Sequence, residues 1–304
     1  MRAGVLAVFA LQSVFPATSA LADATAAGER GVVLESLELK SKILARPVRY
    51  SIYLPPGYEA NPTHRYPVVY LLHGYPSEPH DSETDWIQQG AADRLADEAI
   101  AAGRMPAVII VMPDASTTFY SNTLDGRVRY EDMFIEELVP FIDGTYRTRP
   151  QRMFRSVAGL SMGGYGALLF AMKHPQLFSA AAALSPGIRS EQELKDTPDA
   201  QYEQFWAPLY GAGLKGEARL GDAWRTQSPL GMAKALPAEQ LKRTRWWIDM
   251  GDDDFLARGG AALHIALRER QIPHEYRVRD GVHDWVYWRT GLIPALEFLA
   301  KSYW

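Results

Sequence analysis

A strand-like run, Arg152 to Ala158, leads into Gly159-Leu160-Ser161-Met162-Gly163-Gly164 and on into a helix-forming stretch from Met162 to Lys173. A chain that passes from strand to helix in so few residues must adopt backbone angles that side chains resist, so glycines flank the turn. A side chain at 159 or 163 would collide with the adjacent strand or helix. Ser161 then projects its hydroxyl above the sheet, and the helix that follows aims backbone N–H groups and a positive dipole end at the same point.

The rest of the chain supplies a setting for this turn. Val32 to Leu39 and Val48 to Leu54 alternate in the β manner and end at Pro55-Pro56-Gly57, which predicts an antiparallel pair near a sheet edge. Pro67 to Leu72 is an unbroken apolar run of the kind buried on both faces of a parallel sheet. Helix and strand then alternate. Helices are expected at Ala91 to Ala102, Tyr130 to Tyr146, Met162 to Lys173, Gly260 to Gln271 and Asp284 to about Lys301. Strands are expected at Ala107 to Met112, Arg152 to Ala158, Ala180 to Leu184, Arg245 to Met250 and Glu275 to Val278. Such repetition gives an α/β fold, a mostly parallel sheet with helices on both faces and ligands beyond the C-terminal strand ends. Residues 187–244, rich in Trp, Tyr, Gly and Pro, interrupt the pattern and read as an inserted lid or pocket wall.

Composition narrows the chemistry. There is no cysteine, which removes disulfides, thiolate nucleophiles and Cys-ligated metals together. The net charge is −4 with the basic residues scattered, so no nucleic-acid footprint is expected. At the N-terminus, Arg2 precedes an apolar run from Gly4 to Phe15, then Pro16 and Ala20-Leu21-Ala22. That order predicts a signal peptide spanning 1–22, leaving 23–304 as one exported domain. The run is too short to span a bilayer, and no later segment resembles a span.

A serine hydroxyl is a weak nucleophile without a base in hydrogen-bond reach, and on this kind of turn the acid and the histidine follow the serine along the chain. Among the distant histidines, His264 falls in a predicted helix and His274 at the wrong end of a strand. His283, directly after the last strand, is the expected base. Asp249 lies inside a strand, whereas Asp252, Asp253 and Asp254 share the loop after it. Asp254 is the farthest along and the best placed of the three, and Asp284 is too close in sequence to His283 to serve it. The acidic cluster lacks the alternating spacing of a calcium loop. Met162 and Tyr75, in Leu72-His73-Gly74-Tyr75, are the expected backbone donors to an oxyanion, with His73 holding that loop. The run from His80 to Asp85 reads as loop polarity rather than a metal site. Trp86 either walls the pocket or packs the next helix. Tyr202, Phe205, Trp206, Tyr210 and Trp224 in the insertion are either an aromatic surface for ring stacking or a small core. With Trp285, the residues Trp86, Trp206, Tyr210 and Trp224 make up the expected substrate pocket.

Taken together, Leu71-Leu72-His73-Gly74, the serine turn, Gly251-Asp252-Asp253-Asp254-Phe255-Leu256 and Gly281-Val282-His283-Asp284-Trp285-Val286-Tyr287-Trp288 resemble the esterase D or putative esterase family of α/β-hydrolases. That family includes S-formylglutathione hydrolases, feruloyl and acetylxylan esterases and mycolyltransferases. The resemblance runs from about Val48 to Phe298. It implies an α/β-hydrolase fold with Ser161 as nucleophile, Asp254 as acid and His283 as base, no metal and no cofactor. The choice of Asp254 over its neighbours rests largely on it. The expected activity is hydrolysis of carbohydrate-linked or aromatic esters through an acyl-enzyme. The alternatives are acyl transfer to a sugar or lipid hydroxyl, an S-formylglutathione hydrolase-like thioesterase, and a binding protein on a relic fold.

Overall fold

The computed structural model describes residues 30–76 and 82–304, so the expected signal peptide, the start of the expected domain and His80 with Asp81 lie outside the described residues. Eight strands form one sheet: β1 (Val32–Ser41), β2 (Arg46–Leu54), β3 (Val68–Leu72), β4 (Ile109–Pro113), β5 (Arg155–Leu160), β6 (Ala180–Leu184), β7 (Arg245–Gly251) and β8 (Glu275–Arg279), in the spatial order β1-β2-β4-β3-β5-β6-β7-β8. The first two junctions are antiparallel, which puts the predicted hairpin at one edge, and the rest of the sheet is parallel.

Unbroken apolar strands are buried on both faces here, as the sequence implied. In β3, Val68, Tyr70 and Leu72 enter one core while Val69 and Leu71 enter the other. The first core is covered by α2 (Met162–Lys173) and the second by α1 (Ala92–Ala101) and α4 (Trp285–Ala300). The fourth long helix, α3 (Ala257–Glu269), follows β7 and packs in the first core. Every residue of α2 from Met162 to Met172 is buried, so the helix behind the serine has no solvent face.

Two expectations need correction, and a choice left open for the insertion's aromatics divides between its two readings. Residues 152–154 form a short 3-10 turn rather than strand, with the Phe154 N–H closing on the Gln151 carbonyl, and β5 starts at Arg155 and reaches Leu160. The helical segment 130–145 is not a uniform helix but widens into a π-type turn at Phe134–Leu138. Residues 187–244 form six short α-helices and one 3-10 helix, and Tyr202, Tyr210 and Trp224 belong to the same core as the strands. The aromatic content of that region therefore serves packing more than it serves an open stacking surface.

The serine turn is held from both sides. A Cβ at Gly159 would overlap the Gly163 carbonyl and approach Leu72, and one at Gly163 would overlap the Leu72 and His73 carbonyl oxygens. Because these obstacles are backbone, neither can rotate away. Gly163→Ala should cost about 1–3 kcal/mol or more, and a urea midpoint unchanged from wild type would count against this packing.

Candidate active site

Ser161 follows the last residue of β5 and precedes α2, with φ 51° and ψ −117°. A non-glycine residue in this left-handed region costs of order 1–3 kcal/mol and persists only where its surroundings fix it. Here they do: the Ser161 N–H donates to the Leu184 carbonyl at 2.9 Å, and its carbonyl accepts from Gly187 at 2.8 Å and Tyr165 at 3.0 Å. The strain holds the hydroxyl out of the sheet.

The structure brings Ser161, His283 and Asp254 together from three loops. His283 Nε2 lies 3.0 Å from Ser161 Oγ, and Nδ1 lies 2.8 Å from Asp254 Oδ2. The imidazole is gripped by rings, with Phe255 at 4.7 Å between centroids and Trp288 edge-on at 4.8 Å. Asp254 is only 4% exposed, and its other oxygen accepts the Leu256 N–H at 2.8 Å. Burial pushes the Asp254 carboxyl up. The hydrogen bond and charge of His283, the Leu256 N–H and the Ser185 hydroxyl together outweigh it and hold the group below the usual carboxylate range.

That direction has a consequence for stability. A carboxyl depressed in the folded state stabilises above its unfolded value, about 3.9, and the contribution is lost as pH falls through the folded value. Wild type should therefore lose more denaturant resistance below about pH 4 than Asp254→Asn does, as measured by urea midpoints across pH. Parallel loss in both proteins would rule out this contribution.

The crowd of aspartates resolves into separate tasks. Asp249 is buried beneath the site, where it accepts Arg279 Nε at 3.0–3.1 Å and the Tyr287 hydroxyl. Asp252 ties the acid loop to the histidine loop. Its N–H donates to the Arg279 carbonyl and its carboxylate accepts from Gly281, both at 3.0 Å, while Asp253 donates to the Gly281 carbonyl at 3.2 Å. Asp284 caps α4 by accepting the Tyr287 N–H at 2.9 Å. Asp254 alone of these reaches the imidazole. The loop-to-loop stitching was not foreseen from sequence, since nothing local marks Gly281 as the partner of Asp252.

His73 secures the loop of Tyr75. Its Nε2 accepts the Ala115 N–H at 2.8 Å, so Nδ1 carries the proton and donates to the Gly74 carbonyl at 2.6 Å. The N–H groups of Tyr75 and Met162 have no hydrogen-bond acceptor among the described residues. Two cavities meet at Ser161 and His283. One, about 340 Å³, is walled by Tyr75, Phe119, Phe205, Trp206 and Phe255, with Arg189 and Gln201 as its other polar side chains besides the serine and histidine. The second, about 380 Å³, presents Asp85, Gln89, Asp284, Trp285 and Trp288.

Of the five aromatics expected in the pocket, Trp206 lines the first cavity and Trp285 the second. The others do not line either. Trp86 is buried and donates its indole N–H to the Leu72 carbonyl at 2.9 Å. Tyr210 stacks behind Trp206 and bonds the Tyr165 hydroxyl at 3.0 Å, and Trp224 is buried in the first core. Phe119, Phe205, Phe255 and Arg189 were not foreseen as pocket residues, except that Phe205 stood among the insertion's aromatics. Among the described residues no cluster of metal-ligating side chains exists and no helix is long and apolar enough to cross a membrane.

Comparison with known proteins gives this geometry a family. The chain is 34% identical over 158 residues to an endo-1,4-beta-xylanase/feruloyl esterase of Xylanibacter ruminicola, covering 50% of this chain and 21% of the relative. It is 29% identical over 251 residues to an esterase of Mycobacterium tuberculosis, covering 77% and 52%. The chain thus spans about a fifth and about half of these relatives' lengths. A solved ferulic acid esterase superimposes with a TM-score of 0.77 at 28% identity, covering 91% of this chain and all of that one, so the fold is that of the α/β-hydrolases. The sequence pattern of the family described as "Putative esterase" matches residues 41–299, and the chain belongs to that family.

Proposed function

We propose that the protein is a serine carboxylic-ester hydrolase that works through a covalent acyl-enzyme, with Ser161 as nucleophile, His283 as general base and acid, and Asp254 as the group that orients and stabilises the imidazolium. The reading rests on one observation above all, the continuous hydrogen-bonded series from Asp254 through His283 to Ser161 on a strained turn. In the first step His283 takes the serine proton as Oγ attacks the ester carbonyl. The oxyanion is received by the N–H groups of Tyr75 and Met162, and the alcohol leaves with the proton from His283. Water, deprotonated by the same histidine, then releases the acid.

The substrate we propose is an aromatic or carbohydrate-linked ester. Rings fit the cavity of Phe119, Phe205, Trp206 and Phe255, and the polar second cavity, with Trp285 beside Asp85 and Gln89, suits a hydroxyl-rich partner. The related feruloyl and ferulic acid esterases bear names of the same chemistry. We also propose export after removal of 1–22, leaving 23–304 as one hydrolase domain, testable by fractionation and N-terminal sequencing of the expressed protein.

The second cavity would equally seat an acceptor sugar, so hydrolysis and acyl transfer must be separated by competition. With an aryl ester as donor and a sugar present, free acid is expected to dominate. Predominant acyl-sugar would make the enzyme a transferase. No turnover of aryl or hydroxycinnamoyl esters would end the reading.

A further inference from the structure

The aromatic cavity is lined by a guanidinium, that of Arg189, which makes no ion pair among the described residues. Resting on the ester-hydrolase reading and naming its substrate class, we propose that Arg189 holds a carboxylate carried by the part of the ester lodged in this cavity, so that the preferred substrates are anionic esters.

The stem of Arg189 is fixed to the nucleophile turn. Gly187 donates to the Ser161 carbonyl at 2.8 Å, Ile188 is buried in the first core, and its carbonyl lies so close to Gly259 of α3 that a Cβ there would overlap it. The guanidinium leaves this anchored backbone half-buried, 5.3 Å over the Phe255 ring, which is itself 4.7 Å from the His283 ring. Its one hydrogen bond among the described residues, from Nη1 to the Phe255 carbonyl, is long at 3.3 Å. Five donors in a fixed fork are available to a guanidinium, so most of them are unmatched among the described residues.

Several surface arginines of this protein pair with carboxylates, as Arg94 with Glu98, Arg129 with Asp132, Arg225 with Asp222 and Arg277 with Glu275, whereas the exposed Arg46, Arg65, Arg243 and Arg268 make no ion pair among the described residues; what sets Arg189 apart is its place in the wall of the aromatic cavity. Arg189 makes no ion pair among the described residues. The groove that continues past it holds Glu193 and Asp196, but Glu193 accepts the Ser190 N–H and hydroxyl and Asp196 accepts from Gln192. Arg258, exposed and also without an ion pair, stands in the same groove. Attraction between a guanidinium and a carboxylate is stronger beside apolar walls than in open water, and the forked geometry favours a two-point contact. A role limited to steadying Phe255 would leave the charge unused.

Two matched ester pairs test the proposal. The acyl-side pair is mono-4-nitrophenyl glutarate against 4-nitrophenyl butyrate. The alcohol-side pair is 4-acetoxybenzoate against its methyl ester. In at least one pair Arg189→Gln should lower the carboxylate-over-neutral ratio of kcat/KM by about tenfold to a hundredfold, and Arg189→Lys should retain part of that ratio. Ratios unchanged in both pairs would overturn the proposal and leave Arg189 as a support for Phe255. Should the variants fold poorly, wild type suffices, since rising ionic strength should depress the carboxylate ester of that pair more than its neutral partner. Equal salt dependence in both pairs would also overturn it. If wild type cleaves none of the four esters, the hydrolase reading fails, and the inference with it. Cleavage of the neutral esters with no Arg189-dependent ratio condemns the inference alone.

Discussion

Replacing Ser161 with alanine should lower kcat on a short aryl ester by roughly 10⁶-fold while leaving the fold intact. Alanine keeps the Cβ that the turn already accommodates at φ 51°, and the backbone bonds to Leu184, Tyr165 and Gly187 do not involve the hydroxyl. What is lost is the 3.0 Å contact to His283 and with it the covalent route. The urea midpoint should stay close to wild type, because surface-like changes without buried consequences fall within about 0.5 kcal/mol. Turnover within tenfold of wild type, about 1.4 kcal/mol, would assign the chemistry to another group.

Asp254→Asn carries the second largest expected effect, a loss in kcat of about 10⁴-fold at neutral pH. The amide keeps the shape of the carboxylate but can offer an N–H to His283 Nδ1, which favours the tautomer that cannot accept the serine proton. Burial makes the loss severe, since at 4% exposure little water can replace the missing charge. The same substitution at Asp252, which touches the histidine loop but not the imidazole, should cost far less. If the two variants were equally impaired, the acid would be misassigned between them.

How far the sequence revealed this site follows from the locality of each signal. The serine turn, its glycines and the alternating strands are encoded in contiguous residues, and β5 with α2 carries them as read, except that the strand starts three residues later and ends two residues later than expected. His283 was legible because it follows the last strand. Asp254 was less so, because Asp249, Asp252 and Asp253 differ from it only in what they touch. Asp249 finds Arg279 and Tyr287, which no spacing rule announces. The pocket was the least legible part. Its walls come from Tyr75, Phe119, residues 187–206 and Phe255, four separated segments that meet only in the fold. An aromatic side chain reads alike whether it lines a cavity, as Trp206 does, or fills a core, as Trp224 does. Phe255 is the converse case, a large apolar ring left 60% exposed because it stands at the cavity mouth against His283.

The central claim is that Ser161 forms a covalent bond to the substrate's acyl carbon. The direct measurement is incubation with an aryl phosphonate, which a serine activated by histidine attacks and cannot release, followed by intact-protein and peptide mass spectrometry. The account predicts a mass increase of one phosphonyl group, located on the peptide that contains Ser161 and missing in Ser161→Ala. An unlabelled protein that still hydrolyses esters, or a label located on any other residue, would contradict it.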